Sequence, residues 1–202
     1  MPSQLERTET TRAALCAAFR KSLLDKGLEA TTTAAVLAET GLSKGAMYHH
    51  FASKAEIIEA VYRAESHGAV RRAMESVRGK PTAIERLKLA CQAWLRELDT
   101  PDVARILLDI GPTALGVRRV REIEDELTIV LFRTALDQAV ALGEIELADT
   151  ALAAKLVNGM LAEIAALTRT ERKQAAAIVG PMIDTVLAAL SLRASPASPR
   201  AT

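Results

Sequence analysis

Through most of this chain the apolar residues recur every three or four positions, the spacing of one helix face and not of a strand. The first such stretch covers residues 8–26 and is predicted to stop at Gly27, a residue that readily adopts the left-handed conformation. Two short stretches follow. Thr31 and Thr32 are placed to cap a helix ending near Thr40, Gly41 marks a turn, and Ser43 is placed to cap a second helix ending near Phe51. Ser53-Lys54-Ala55-Glu56 has the form of a capping box and predicts a longer helix towards Arg78. A second box, Thr82 with Glu85, opens a helix to about Leu98. Thr100-Pro101-Asp102 then sets a cap, a proline and an acid at the start of a short helix expected to end near Gly111-Pro112.

Val120, Ile123, Leu127, Val130 and Leu131 share one face of a long helix predicted over residues 117–142 and stopped by Gly143. Asp149 caps the next, whose ladder is Leu152, Leu156, Met160, Ile164 and Leu167. The last is predicted over residues 171–192, with Val179, Met182, Ile183, Val186, Leu187 and Leu190 on one face. A kink is expected at Gly180-Pro181, because proline removes one helical hydrogen bond and crowds the carbonyl four residues back. No segment alternates like a strand, so the fold is expected to be all-α. A three-helix unit is expected over residues 8–52 and a larger helical domain over 53–193. Residues 1–7 and 194–202 are polar or rich in Ser, Pro and Ala, and are expected to be disordered.

Composition sharpens this picture in two ways. Half the residues are hydrophobic and only 3% are aromatic, a balance that favours helices over strands. The formal net charge is only +1, so any case for nucleic acid rests on local geometry. Cys16 and Cys91 lie among apolar neighbours at helical spacing and read as small buried hydrophobes in a reducing compartment. The N-terminus has no apolar stretch of secretory type, and no run approaches the ~18 uninterrupted apolar residues of a membrane span. The expectation is a cytoplasmic protein with no membrane partner.

The informative stretch is residues 31–54. Two short helices joined by a Gly turn cross steeply and leave the second free to enter a major groove. Val36, Leu37, Leu42 and Met47 are spaced to pack the pair together. From Ser43 to Lys54 there are two lysines, two histidines and no acid. Gly45 and Ala46 allow a close approach to base edges, and the helix N-terminus favours phosphate. Tyr48, His49 and Lys54 suit phosphate contacts, which position a protein on DNA. Lys44, Gly45, Ala46 and Thr33 are the candidates for base contacts, which specify sequence. Thr32 and Ser43 complete the DNA-binding set.

These residues resemble the TetR family of bacterial transcriptional regulators. Leu15, Ala18, Gly27, Thr31-Thr32, Gly41, Ser43-Lys44-Gly45, Tyr48, His50-Phe51 and Ser53-Lys54 match at the family's spacing over roughly residues 12–60. Residues 105–119 also look like one subset of the family. Leu37, Thr40 and Leu23 depart from the usual residues at packing positions. The resemblance implies a homodimer on a palindromic double-stranded DNA operator, and a C-terminal domain that binds a small-molecule effector and dimerises. Two helices from each subunit would form a four-helix interface. Its candidates are Leu152, Leu156, Met160, Ile164, Val179, Met182, Ile183, Val186, Leu187 and Leu190, which also read plainly as core.

For the effector, the candidates are Trp94, Ile106, Asp109, Phe132 and Asn158, since an apolar cavity with a few polar groups is what such a site needs. Three of these have a plainer reading beside them: core packing for Trp94 and Phe132, surface for Asp109. The region's composition points to a small apolar effector. The run from Arg118 to Glu126 reads as a solvated face of mixed charge. His49 and His50 do not share an ion easily, because adjacent helical residues point about 100° apart, so no metal site is expected. No phosphate-cradling Gly loop, His-Glu-x-x-His or Gly-x-Ser-x-Gly occurs, so neither a catalytic residue nor a cofactor is expected. The competing reading is a helical small-molecule-binding protein or enzyme whose N-terminal hairpin has lost DNA binding.

Overall fold

A computed structural model describes residues 4–191, with side chains from residue 9 onward. The described residues form helices and no strand. In order these are α1 (Gln4–Ala30), α2 (Thr33–Thr40), α3 (Lys44–His50), α4 (Lys54–Ser76), α5 (Ala83–Glu97), α6 (Pro101–Ala104), a π-helical stretch (Arg105–Ile110), α7 (Gly111–Leu115), α8 (Val117–Ala141), α9 (Thr150–Ala166) and α10 (Arg169–Ser191). The expectation for residues 194–202 lies outside the described residues, as does that for residues 1–3. Residues 4–7, expected to lack fixed structure, are already helical.

Contacts divide the chain into two compact units. One takes the described residues up to Ala69 together with Thr100–Ile123; the other takes Val70–Asp99 and the described residues from Glu124. The first therefore extends beyond the three-helix head expected over residues 8–52. The chain returns to it through α6 and α7, a long-range pairing that local patterns do not report.

In the first unit Leu15, Phe19 and Leu23 of α1 are fully buried, as are Met47 of α3 and Ile57 of α4. Burying each such side chain contributes roughly 1.5–3 kcal/mol. Gly27 has φ +82°, which ends the regular part of α1 where the sequence predicts, and a further turn follows it. Arg20 of α1 bonds Glu65 of α4 at 2.6 Å, and reaches Asp102 of α6 at 3.4 Å. Gly111 lies against the Tyr62 ring: a Cβ there would fall 2.3 Å from a ring carbon.

The helix after Pro101 does not end at Gly111-Pro112 as expected but continues to Leu115 and stops at Gly116, φ +83°. Its ladder widens first, with the Gly111 N–H donating to the Ile106 carbonyl five residues back. Such a wide turn takes the carbonyl row out of register ahead of the proline, so the ring does not break the helix. Arg119 forks onto Glu59 at 2.9 and 2.7 Å and also bonds Glu122. The run from Arg118 to Glu126 is thus not merely a solvated face. Arg119 holds the Glu59 carboxyl below the usual range for a glutamate.

In the second unit α5 packs on α10, and α9 packs on α10. Thr82 accepts the Glu85 N–H as predicted. The remaining cap comes from Glu144, whose carboxylate accepts the Ala83 and Ile84 N–H groups at 2.9 Å each. Those two bonds hold the Glu144 carboxyl below its usual range. Helix α10 runs unbroken through Pro181. Val130 and Leu131, predicted on one face of α8 with Ile123, are 63% and 37% exposed, while Ile123, Leu136 and Ala139 are buried.

Candidate nucleic-acid interface

Helices α2 and α3 have 8 and 7 residues, too short to persist alone. Their ends are held by the predicted signals. The Thr32 hydroxyl accepts the Ala35 N–H at 3.1 Å, and Ser43 accepts the Ala46 N–H at 3.0 Å. Gly41 turns the chain at φ +69°, and its N–H closes α2 on the Leu37 carbonyl. Thr31 is buried and does not cap. Its hydroxyl donates to the Gly27 carbonyl at 2.8 Å and lies 3.1 Å from that of Ser22, fixing the approach to α2. Val36 of α2 and Met47 of α3 are buried, both helices pack on α1, and Leu37 and Leu42 are half-buried.

The outer side of α3 is small and polar. Ser43, Lys44, Gly45, Tyr48 and His49 are exposed, with Ala46 half-buried among them. A Cβ on Gly45 would meet only the Ser43 hydroxyl, at 3.9 Å, so the helix start presents nearly bare backbone. The Lys44 ammonium stands 5.8 Å over the Tyr48 ring. Thr32 is exposed and Thr33 half-buried at the start of α2. The acid on α2, Glu39, is paired with Lys26, which holds its carboxyl below the usual range and offsets its charge.

Lys54 is half-buried and donates to the Leu28 carbonyl at 2.8 Å, tying the start of α4 to the end of α1. Two of its three N–H groups remain for other acceptors. Sequence reasoning overlooked Arg12. It is exposed on α1, with its guanidinium 5.0 Å over the ring of Phe51, the residue that closes α3. Only folding brings this cation, 39 positions away in sequence, to the recognition segment.

The effector candidates fall in both units. In the first, Ile106 is buried and Asp109 exposed. In the second, Trp94 and Phe132 are half-buried and Asn158 is buried. The Asn158 side chain is committed within the protein: it donates to Asp125 at 2.6 Å and accepts from Thr128 at 2.5 Å. The Trp94 indole N–H is buried with no acceptor. Of the interface candidates, Ile164, Val179, Ile183 and Leu187 are buried within their own unit, at most 5% exposed. Met160, Met182, Val186 and Leu190 are half-buried, and Leu152 and Leu156 are 43% and 45% exposed.

Comparisons with known proteins agree with this geometry. Residues 10–61 match the model of bacterial regulatory proteins of the tetR family. Residues 84–190 match the tetracyclin repressor-like C-terminal domain. The chain is 34% identical over 73 residues to the HTH-type transcriptional regulator TtgR of Pseudomonas putida, an alignment covering 35% of each protein. The chain thus spans about a third of the length of the curated relatives it matches. Similar solved structures include RolR in complex with resorcinol, with TM-score 0.69, 16% identity and coverage of 98% of this chain and 100% of that one. FadR from Bacillus halodurans has TM-score 0.61 and 16% identity, with 89% and 96% covered. FadR from Bacillus subtilis, solved with stearoyl-CoA, has TM-score 0.61 and 18% identity, with 87% and 97% covered. These structures share the fold. With family models matching both its N-terminal and its C-terminal helices, the chain belongs to the tetR family of bacterial regulatory proteins.

Proposed function

We propose that this chain is a cytoplasmic, ligand-responsive transcriptional repressor that binds a palindromic operator as a homodimer. The observation that carries the reading is α3: a capped short helix, free of acids, that exposes Lys44, Gly45, Tyr48 and His49 on one side. Tyr48, His49, Lys54 and Arg12 serve as phosphate contacts. Lys44, Gly45, Ala46 and Thr33 lie at base edges, and Thr32 and Ser43 hold the helix starts from which those contacts are made.

A palindrome needs two recognition helices, and α9 and α10 offer the surface for pairing. Helix α10 is apolar along most of its length, yet only 22% of its most apolar stretch is buried. Leu152, Leu156 and Ile178 are exposed beside half-buried Met160, Met182, Val186 and Leu190. A second copy of the same helices covers this surface in a four-helix arrangement.

The effector is small and largely apolar, and contacts Trp94 and Phe132. An unpaired buried N–H costs about 1–3 kcal/mol, so an effector oxygen accepting from Trp94 would recover part of that cost. Ligand binding shifts the spacing of the two recognition helices. Because DNA pitch fixes the half-sites, a shift of a few ångströms weakens both together. The ligand acts only as far as it favours the non-binding spacing. The reading is tested by gel shift with the DNA upstream of the coding sequence. A salt-sensitive, sequence-selective complex is expected, and its absence would favour a helical ligand-binding protein without DNA binding.

A further inference from the structure

A cavity of about 250 Å³ opens in the second unit, where the C-terminal half of α5 faces the first turns of α10. Its lining includes Gln92, Leu95 and Arg96 of α5, Asp99 just beyond that helix, and Arg172 and Lys173 of α10. Three cations therefore share the cavity with one carboxylate. Asp99 is already engaged, by Arg169 at 3.3 Å and Lys173 at 3.9 Å.

Arg172 is the unusual member. It is only 5% exposed, and charged side chains are almost never buried without a partner of opposite sign. No carboxylate among the described residues pairs with it. Its Nη1 donates to the Ala165 and Leu167 carbonyls at 3.1 Å each, and Nη2 to the Leu98 carbonyl at 3.4 Å. These carbonyls lie at the C-terminal ends of α9 and α5, whose dipoles offset part of the charge. A guanidinium has five N–H donors, and Nε–H here is buried with no acceptor. Nε shares an edge of the guanidinium plane with one Nη, the fork to which a carboxylate or phosphate binds side-on.

We propose that this cavity binds a small organic monocarboxylate. Its oxygens lie on the Nε edge of Arg172 and on Arg96 and Lys173, and its carbon chain runs along Leu95. The cavity is several times the roughly 30 Å³ of one water, leaving room for a carbon chain behind the charged group. Leu95, Ala176 and Ala177 supply apolar lining that a carbon chain covers and inorganic phosphate does not. The site does not depend on DNA binding, so it stands or falls separately from the repressor reading.

Butyrate serves as the probe, on the full chain, with ionic strength held constant by sodium chloride. The Arg172 Nε–Hε signal in a proton–nitrogen correlation spectrum, identified by its loss in Arg172→Lys, is expected to move saturably as butyrate is added. Butyrate is also expected to raise the melting temperature, a readout that survives if Arg172→Lys does not fold. The double variant Arg96→Ala, Lys173→Ala changes exposed side chains and should weaken binding about tenfold or more, the loss expected when charge-assisted hydrogen bonds are removed. The proposal is overturned if neither readout responds beyond matched chloride, or if the double variant binds like the parent. A phosphate response equal to that of butyrate overturns the carboxylate assignment.

Discussion

Helix α3 buries one residue of its seven, Met47, and turns a polar side outward. Helix α10 is more than three times as long and places Val179, Ile183 and Leu187 in the core, yet leaves Ile178 55% exposed. Both depend on neighbours for stability, but their uncovered surfaces differ in kind. The outer side of α3 has donors and cations, and no acid within residues 43–54. Such a surface gains little from apolar burial and much from phosphate oxygens. The open sides of α9 and α10 have Leu152, Leu156 and Ile178, whose gain comes from leaving water. The character of the uncovered surface thus favours an anionic partner at α3 and an apolar one at α9 and α10, where the net charge of +1 favours neither.

The comparison breaks most visibly at the apolar surface. Leu152→Glu with Leu156→Glu is expected to leave the fold intact and convert the protein to a monomer in sedimentation equilibrium, because two charges would be buried without partners. A dimer unchanged by both substitutions would move the interface elsewhere. Met47→Ala should cost about 2–5 kcal/mol, the range for emptying a fully buried site, read as a loss of stability in urea. DNA binding should fall with it. Ser43→Ala should cost about 1 kcal/mol by freeing the Ala46 N–H, seen as a small drop in urea midpoint together with weaker operator binding.

Tyr48→Phe sharpens the polar side of the contrast. Removing one hydroxyl bond worth about 0.5–1.5 kcal/mol should weaken all DNA sequences alike by about tenfold at most. Lys44→Ala, by contrast, should change the preference between operators. If a binding assay over related operators shows the same pattern for both, the division between phosphate and base contacts fails.

The smallest effect concerns Glu144, whose carboxyl is held low by the Ala83 and Ile84 N–H groups. A carboxylate with a depressed folded value adds stability above its unfolded value, and that stability disappears as pH falls through the folded value. Melting curves of Glu144→Gln should lie below those of the parent at neutral pH and converge with them in acid. A gap independent of pH would mean that the side chain acts by shape alone.

Much of the site was legible in sequence because its signals are local. A capping Ser or Thr binds an N–H three positions on, and a Gly with positive φ ends a helix wherever it occurs, so Thr32, Gly41, Ser43, Thr82 and Asp149 fall where expected. What the sequence left open has one cause. Periodicity shows which residues lie on one helix face, but not whether that face is covered by the same chain. Ile164, Val179, Ile183 and Leu187 are core, the plainer of their two readings, and Val130 and Leu131 are exposed although Ile123, placed on the same face, is buried.

By itself, then, the sequence determined the all-α class, most helix starts and stops, and the acid-free recognition segment, because each depends on chemistry within a few residues. Tertiary structure alone decided the rest: Arg12 stacked over Phe51, Glu144 capping α5, the return of α6 and α7 to the first unit, and Arg172 buried with a free N–H beside a cavity. Those contacts join residues dozens of positions apart, and the entropy of closing such loops is met only when the whole unit packs at once.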